Sequence, residues 1–229
     1  MSEREKILGR IRDALVVKAP FPGNHGHDSR GGSSVVPPSS RAGEWLPRVD
    51  DSPDGQLAAF ATNCVDLKAD FFLLNSADEV KAQLQKLAAA DGWKKIATHS
   101  GVLTDSIVPS LNLTTLRADA GYDVHEMESC DAGITECDAL IAQTGSVLVT
   151  NRSCGGRALS VLPPHHVVLA RRDQLLRDLP AAFQLLKRKY AGNYPSMISF
   201  VTGPSRTGDI ERILVLGAHG PKRLTIFVF

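Results

Sequence analysis

Asp70–Thr98 reads Asp-Phe-Phe-Leu-Leu-Asn-Ser-Ala-Asp-Glu-Val-Lys-Ala-Gln-Leu-Gln-Lys-Leu-Ala-Ala-Ala-Asp-Gly-Trp-Lys-Lys-Ile-Ala-Thr, a whole strand–helix–strand unit. The apolar run Asp70–Leu74 predicts a strand. Ser76 followed three residues later by Glu79 is a capping box. Val80, Leu84 and Leu87 continue at helical spacing to about Ala90, and Asp91-Gly92 supplies a C-terminal stop. Lys94–Thr98 is the next strand, with His99-Ser100-Gly101 at its end. Working outward, Gln56–Leu67 and Thr104–Leu111 predict helices, and Gly121–His125 a short strand. Asp131–Ala139 predicts a short helix, followed by strand pieces at Leu140–Ala142 and Ser146–Thr150. After the polar loop Asn151–Arg157, Val167–Ala170 predicts a strand and Leu175–Lys189 an amphipathic helix. Met197–Val201, Ile213–Leu216 and Leu224–Phe229 supply the last strands. Alternating strands and helices of this length predict an α/β fold: a layered, largely parallel sheet flanked by helices.

The bulk numbers limit the function classes. The chain has 229 residues, 43% of them apolar, enough for one sizeable core. Its formal charge is +1 and its aromatic content 6%, which gives no basic field for nucleic acid and no stacking platform. No run approaches the length needed to span a bilayer. Met1–Leu15 is charged throughout and has no signal-peptide core, so the expected location is the cytoplasm. Cys64, Cys130, Cys137 and Cys154 are scattered, without a Cys-x-x-Cys pair. No metal site, iron–sulfur cluster or other cofactor is expected in this chain.

Three segments are expected. Residues 1–18 carry an N-terminal helix, with Ile7, Leu8, Ile11, Ala14 and Leu15 on one face. Residues 19–53 are rich in Pro, Gly and Ser and read as a mobile linker. Residues 54–229 form the α/β domain.

Two polar turns carry the candidate chemistry. Thr144-Gly145-Ser146 lies between two strand pieces; its glycine admits close approach, and its hydroxyls can hold an anionic oxygen. Gly203-Pro204-Ser205-Arg206-Thr207 follows a later strand, with Asp209 and Glu211 beyond it. The planar fork of Arg206 suits a carboxylate or phosphate. An internal pair with Asp209 or Glu211 would explain the same residues, and the two readings are compatible. Glu136 is a candidate nucleophile or general base, or else a solvated glutamate on a helix. His219 occupies a Gly-Ala-His-Gly-Pro corner, where it could bind ligand or backbone. His165, His166 and His219 are candidates for proton transfer near neutral pH. The expected ligand is a small anion held by Thr144, Gly145, Ser146, Gly203, Pro204, Ser205, Arg206, Thr207, Asp209 and His219.

Three blocks together are distinctive: Gly133-Ile134-Thr135-Glu136 continuing to Gln143-Thr144-Gly145-Ser146, then Leu162-Pro163-Pro164-His165-His166, then Gly203 to Glu211 with Gly217 to Pro221. Their order and spacing resemble the LUD domain family, that of lactate-utilization protein C, over roughly Asp54 to Phe229. Gly145-Ser146 stands where many relatives have Gly-Thr, which keeps the hydroxyl. The resemblance implies a fold like the NagB/RpiA/CoA-transferase group. It also implies a part in oxidising L-lactate to pyruvate beside two iron–sulfur partner proteins, this chain carrying no cluster. An enzyme acting on a small anionic or acyl substrate, CoA- or phosphate-bearing, and a non-catalytic ligand sensor are the alternatives.

Overall fold

The computed structural model describes residues 47–210, 213–216 and 220–229. The N-terminal helix and most of the linker expected before residue 53, together with Glu211 and His219, lie outside the described residues.

Helix α1 (Pro53–Leu67) starts where Ser52 Oγ accepts from the Gly55 amide and Pro53 fixes the first helical φ. It ends at Lys68, which takes a left-handed φ of 62° and returns its N–H to Cys64 and Val65 carbonyls. Then come β1 (Asp70–Leu73), α2 (Ala77–Asp91) and β2 (Lys95–Thr98). Ser76 caps the Glu79 amide of α2, and Gly92 closes it at φ 66°, as their sequence signals require. Next are α3 (Val102–Ile107), β3 (Thr114–Arg117) and α4 (Val124–Glu128). β4 (Ala132–Glu136), β5 (Ala139–Ile141), β6 (Ser146–Thr150) and β7 (His165–Ala170) follow. The chain continues through β8 (Leu175–Leu176), α5 (Leu179–Tyr190), β9 (Ile198–Val201), β10 (Arg206–Ile210), β11 (Ile213–Leu216) and β12 (Arg223–Val228).

The main sheet has six strands in the order β1-β12-β7-β4-β2-β3. Every pairing in it is parallel. The fold class is therefore α/β with a parallel sheet flanked by helices. β7 and β12 are interior strands of this sheet, so both their faces must be covered. Val167, Leu169 and Phe227 turn to one side beside Ile96 of β2, where Val80 and Leu84 of α2 and Ile107 of α3 cover them. Val168, Ala170, Leu224, Ile226 and Val228 turn to the other, against Phe60 and Cys64 of α1 and Leu140, Val147 and Val149 of β5 and β6. Alternate residues of each strand thus feed two cores. A second sheet has the order β8-β5-β6-β9, and its Leu140, Val147 and Val149 share one core with α1. Ala182, Leu186 and Tyr190 of α5 cover its far face at Ala139, Ile141 and Leu148.

Four local readings change. Asp131–Ala139 is not a helix but holds β4, which joins the sheet between β7 and β2. Gly121–His125 is not a strand: Asp123 accepts from the Glu126 amide and starts α4. Leu175–Lys189 is divided. Leu175–Leu176 pairs with β5, and the helix begins only after Asp178 accepts from the Ala181 amide. Arg206–Ile210, read as part of a polar turn, is a strand paired antiparallel with β11 across a bulge.

Among the described residues, no helix is long and apolar enough to cross a membrane.

Candidate functional site

Three side-chain hydroxyls meet where the β5–β6 turn approaches the end of β9. Thr144 Oγ1 lies 2.7 Å from Ser146 Oγ, which lies 2.7 Å from Thr202 Oγ1. Two hydrogen bonds among three hydroxyls use two protons, so the third can donate outward. Ser146 is buried and Thr202 is exposed, so the chain of hydroxyls leads from the interior to the surface.

Two glycines set this turn against the last turn of α1. Gly145 has φ 65°, and a Cβ there would lie 2.7 Å from Asn63 Cβ. Gly203 has φ 83°, and its Cβ would lie 2.9 Å from the Leu67 carbonyl oxygen. Both positions therefore need the left-handed backbone and the missing side chain. Asn63 Nδ2 donates to the Ala142 carbonyl at 2.7 Å, and Arg206 Nη2 donates to the Leu67 carbonyl. A helix leaves its last carbonyls unpaired, so the guanidinium closes an orphan acceptor of α1. Pro204 is buried, and the Ser205 amide donates to the Pro221 carbonyl at 2.8 Å, tying this turn to the approach of β12. The backbones of Thr207 and Asp209 lie in β10.

Glu136 is held elsewhere, at the carboxyl end of β4. Its Oε1 accepts from the Leu103 amide at 2.7 Å, the Thr104 amide at 3.2 Å and Thr104 Oγ1 at 3.4 Å, all in the first turns of α3. The Glu136 amide donates to His99 Nε2 at 3.1 Å, while His99 Nδ1 lies 2.9 Å from the Ser100 carbonyl. These partners fit the tautomer with hydrogen on Nδ1. The structure thus brings Thr144, Gly145, Ser146, Gly203 and Arg206 together at the end of α1. Glu136 shares none of their recorded hydrogen bonds. Thr202 and His99 completed these two groups without being singled out from sequence; their only signal was a polar residue at a strand end.

His165 and His166 sit at the other end of β7, in the core. His166 Nε2 is 2.9 Å from Thr135 Oγ1, and its Nδ1 has no partner among the described residues. Burial, helped by neighbouring His165, pushes its pKa down to about 3. Burial and then Arg223 lower that of His165 to about 4, against the opposing pull of Asp91 and Asp70. Neither is suited to proton exchange near neutrality, which corrects that expectation. Burial pushes the thiols of Cys64 and Cys154 up to about 12 and raises those of Cys130 and Cys137. None of the four is primed as a thiolate nucleophile.

The LUD domain family model matches residues 57–229. The chain is similar to proteins named lactate utilization protein C. The one from Anoxybacillus flavithermus is 30% identical over 171 residues, covering 72% of this chain and 76% of the relative. The one from Shouchella clausii is 29% identical over 187 residues, covering 78% and 81%. The one from Bacillus subtilis is 22% identical over 234 residues, covering 96% and 93%. A crystal structure of a DUF162 family protein from Deinococcus radiodurans shares the fold, with a TM-score of 0.63 at 21% identity, over 78% of this chain and 99% of that one. The chain belongs to the LUD domain family.

Proposed function

We propose that the chain is the cluster-free component of an iron–sulfur-dependent system that oxidises L-lactate to pyruvate in the cytoplasm. The observation that carries this reading is the family match over residues 57–229, together with relatives named lactate utilization protein C. The oxidation releases two electrons and two protons, and in this reading iron–sulfur partner proteins take the electrons. The cysteines support that division of labour. All four are buried and scattered along the sequence, without a Cys-x-x-Cys pair. The test is deletion of the gene and growth on L-lactate as sole carbon source. The expected result is loss of growth restored by the full chain, with iron–sulfur proteins co-purifying on a tagged copy. Normal growth of the deletion strain would overturn the proposal.

The hydroxyl chain favours a second reading, an enzyme for a small anionic or acyl substrate. Thr144, Ser146 and Thr202 offer a free proton at the end of α1 that Arg206 closes, and the group joins Ser146 to Thr202, 56 positions later. Glu136 would serve as base or nucleophile from a carboxylate whose direction is fixed by α3. Glu136→Gln and Arg206→Ala should each abolish lactate-dependent turnover; full turnover in both would sink this reading.

A further inference from the structure

Beyond the carboxyl ends of β7 and β12, the first turn of α1 borders a cavity of about 390 Å³. Carboxyl ends of parallel strands are where open α/β sheets take ligands, and this volume is in the range of small-molecule pockets. Leu57 of α1, Leu140 of β5, Leu175 of β8 and Val228 of β12 supply apolar wall. Leu140 and Val228 are otherwise part of the buried core, so here the core reaches a ligand-sized space.

Arg172 and Asp173, just after β7, stand at the same cavity with Asp54. Arg172 Nη2 donates to the Leu74 carbonyl at 2.8 Å and to Asn75 Oδ1 at 3.1 Å, both neutral acceptors. Its main chain is fixed too, the amide donating to the Phe229 carbonyl at 3.2 Å. Asp173 is paired with Arg171, Nε to Oδ1 at 3.0 Å. Among the described residues, no carboxylate lies in ion-pair reach of Arg172. Its guanidinium has no direct ion-pair partner among them, and its orientation is set by two anchors outside the cavity. Asp54 lies in the first turn of α1, where the helix dipole favours its negative charge. Two carboxylates beside one guanidinium oppose a dianion such as phosphate, while a single carboxylate can still pair with the fork.

We propose that this cavity binds an organic monocarboxylate with an apolar body. The carboxylate meets Arg172, and the carbon skeleton lies against Leu57, Leu140, Leu175 and Val228. The site is separate from the Thr144–Arg206 group and independent of the lactate reading. A titration can therefore fail while growth on lactate stands, and the reverse.

The test is isothermal titration of the full chain with butyrate, hexanoate and octanoate. Each added methylene should tighten binding about fourfold, the effect of burying one CH₂. Arg172→Gln should weaken octanoate binding about tenfold or more, the loss of a charge-assisted pair. Leu175→Phe, which fills the cavity and leaves Arg172 in place, should remove binding while circular dichroism and Tm match the parent. 1-Octanol and inorganic phosphate should bind much more weakly than octanoate. Octanoate failing to bind at millimolar concentration, or binding both variants as it binds the parent, would overturn the proposal. Octanol binding as tightly as octanoate would also overturn it.

Discussion

At its carboxyl end, helix α1 is closed from three directions. Gly145 presses on Asn63, Gly203 on the Leu67 carbonyl, and Arg206 donates to that same carbonyl. At its amino end the same helix borders a cavity of about 390 Å³. The closed end carries the residues that look most functional in the sequence: glycines, hydroxyls and an arginine in a tight turn. The open end is built from ordinary leucines, a valine and an arginine contributed by five separate elements. Glycine and an anchored guanidinium mark close backbone approach, which is as much a packing device as a binding one. Room for a ligand arises where side chains stop short of filling the space between elements, and no short motif records that.

Acid should produce the largest effect, and it should spare the difference between the two ends. His165 and His166 are held at about 4 and about 3 by burial. Unfolding returns both toward the ordinary histidine value near 6.5, so between those values the unfolded chain binds more protons. Their contribution is therefore complete above about pH 6.5 and is lost as pH falls toward 4, on the order of several kcal/mol. Urea unfolding between about pH 7.5 and about pH 4.5 should show this fall. His166→Asn should flatten it, whereas variants at either end of α1 should keep it.

Gly145→Val attacks the closed end directly. It forces a β-branched side chain into a left-handed backbone and against Asn63, and should cost on the order of 3 kcal/mol in chemical denaturation. Leu175→Phe, at the open end, enters existing space and should cost less than about 1 kcal/mol. Equal losses would erase the contrast. Ser146→Ala takes a partner from the half-buried Thr144 hydroxyl while exposed Thr202 can turn to water, and a loss of about 1 kcal/mol is expected. Ser52→Ala removes the α1 cap at the open end, for about 1 kcal/mol. Arg206→Ala, an exposed residue on a helix carbonyl, should lower stability least, by roughly 0.5–1 kcal/mol.

Much of the frame is legible in the residues. Ser76, Glu79 and Gly92 bound α2 because caps are local chemistry, and the apolar runs at β7 and β12 mark strands buried on both faces. β4 is not legible, because Asp131 stands just before it and Thr135 and Glu136 break its apolar run. Each is satisfied by a partner far away in sequence. Asp131 Oδ2 accepts from the Lys94 and Lys95 amides at 2.7 and 3.0 Å, Thr135 meets His166, and Glu136 receives the start of α3. Asp138, just beyond, is buried against Lys189 and Tyr190, both at 2.6 Å. Burial alone would raise its pKa, but the hydrogen bonds from Lys189 and Tyr190, with the Ser153 and Thr150 hydroxyls nearby, outweigh that and lower it. Tertiary pairing of this kind turns a polar, helix-like pattern into a central strand. α4 was readable in principle, since Asp123 and Glu126 stand at capping distance. Of the candidate site, the meeting of Thr144-Gly145-Ser146 with Gly203 and Arg206 follows from motif order. The distinct hydrogen-bond partners of Glu136, and the Arg172 cavity, depend on where strand ends fall.

The most direct measurement of the contrast between the two ends of α1 is a ¹H–¹⁵N correlation spectrum of the full chain titrated with octanoate. The amides of Leu57, Arg172, Leu175 and Val228 should shift together and saturate, while those of Asn63, Gly145 and Gly203 stay in place. Shifts confined to Asn63, Gly145, Gly203 and Arg206, with the cavity amides unmoved, would contradict it.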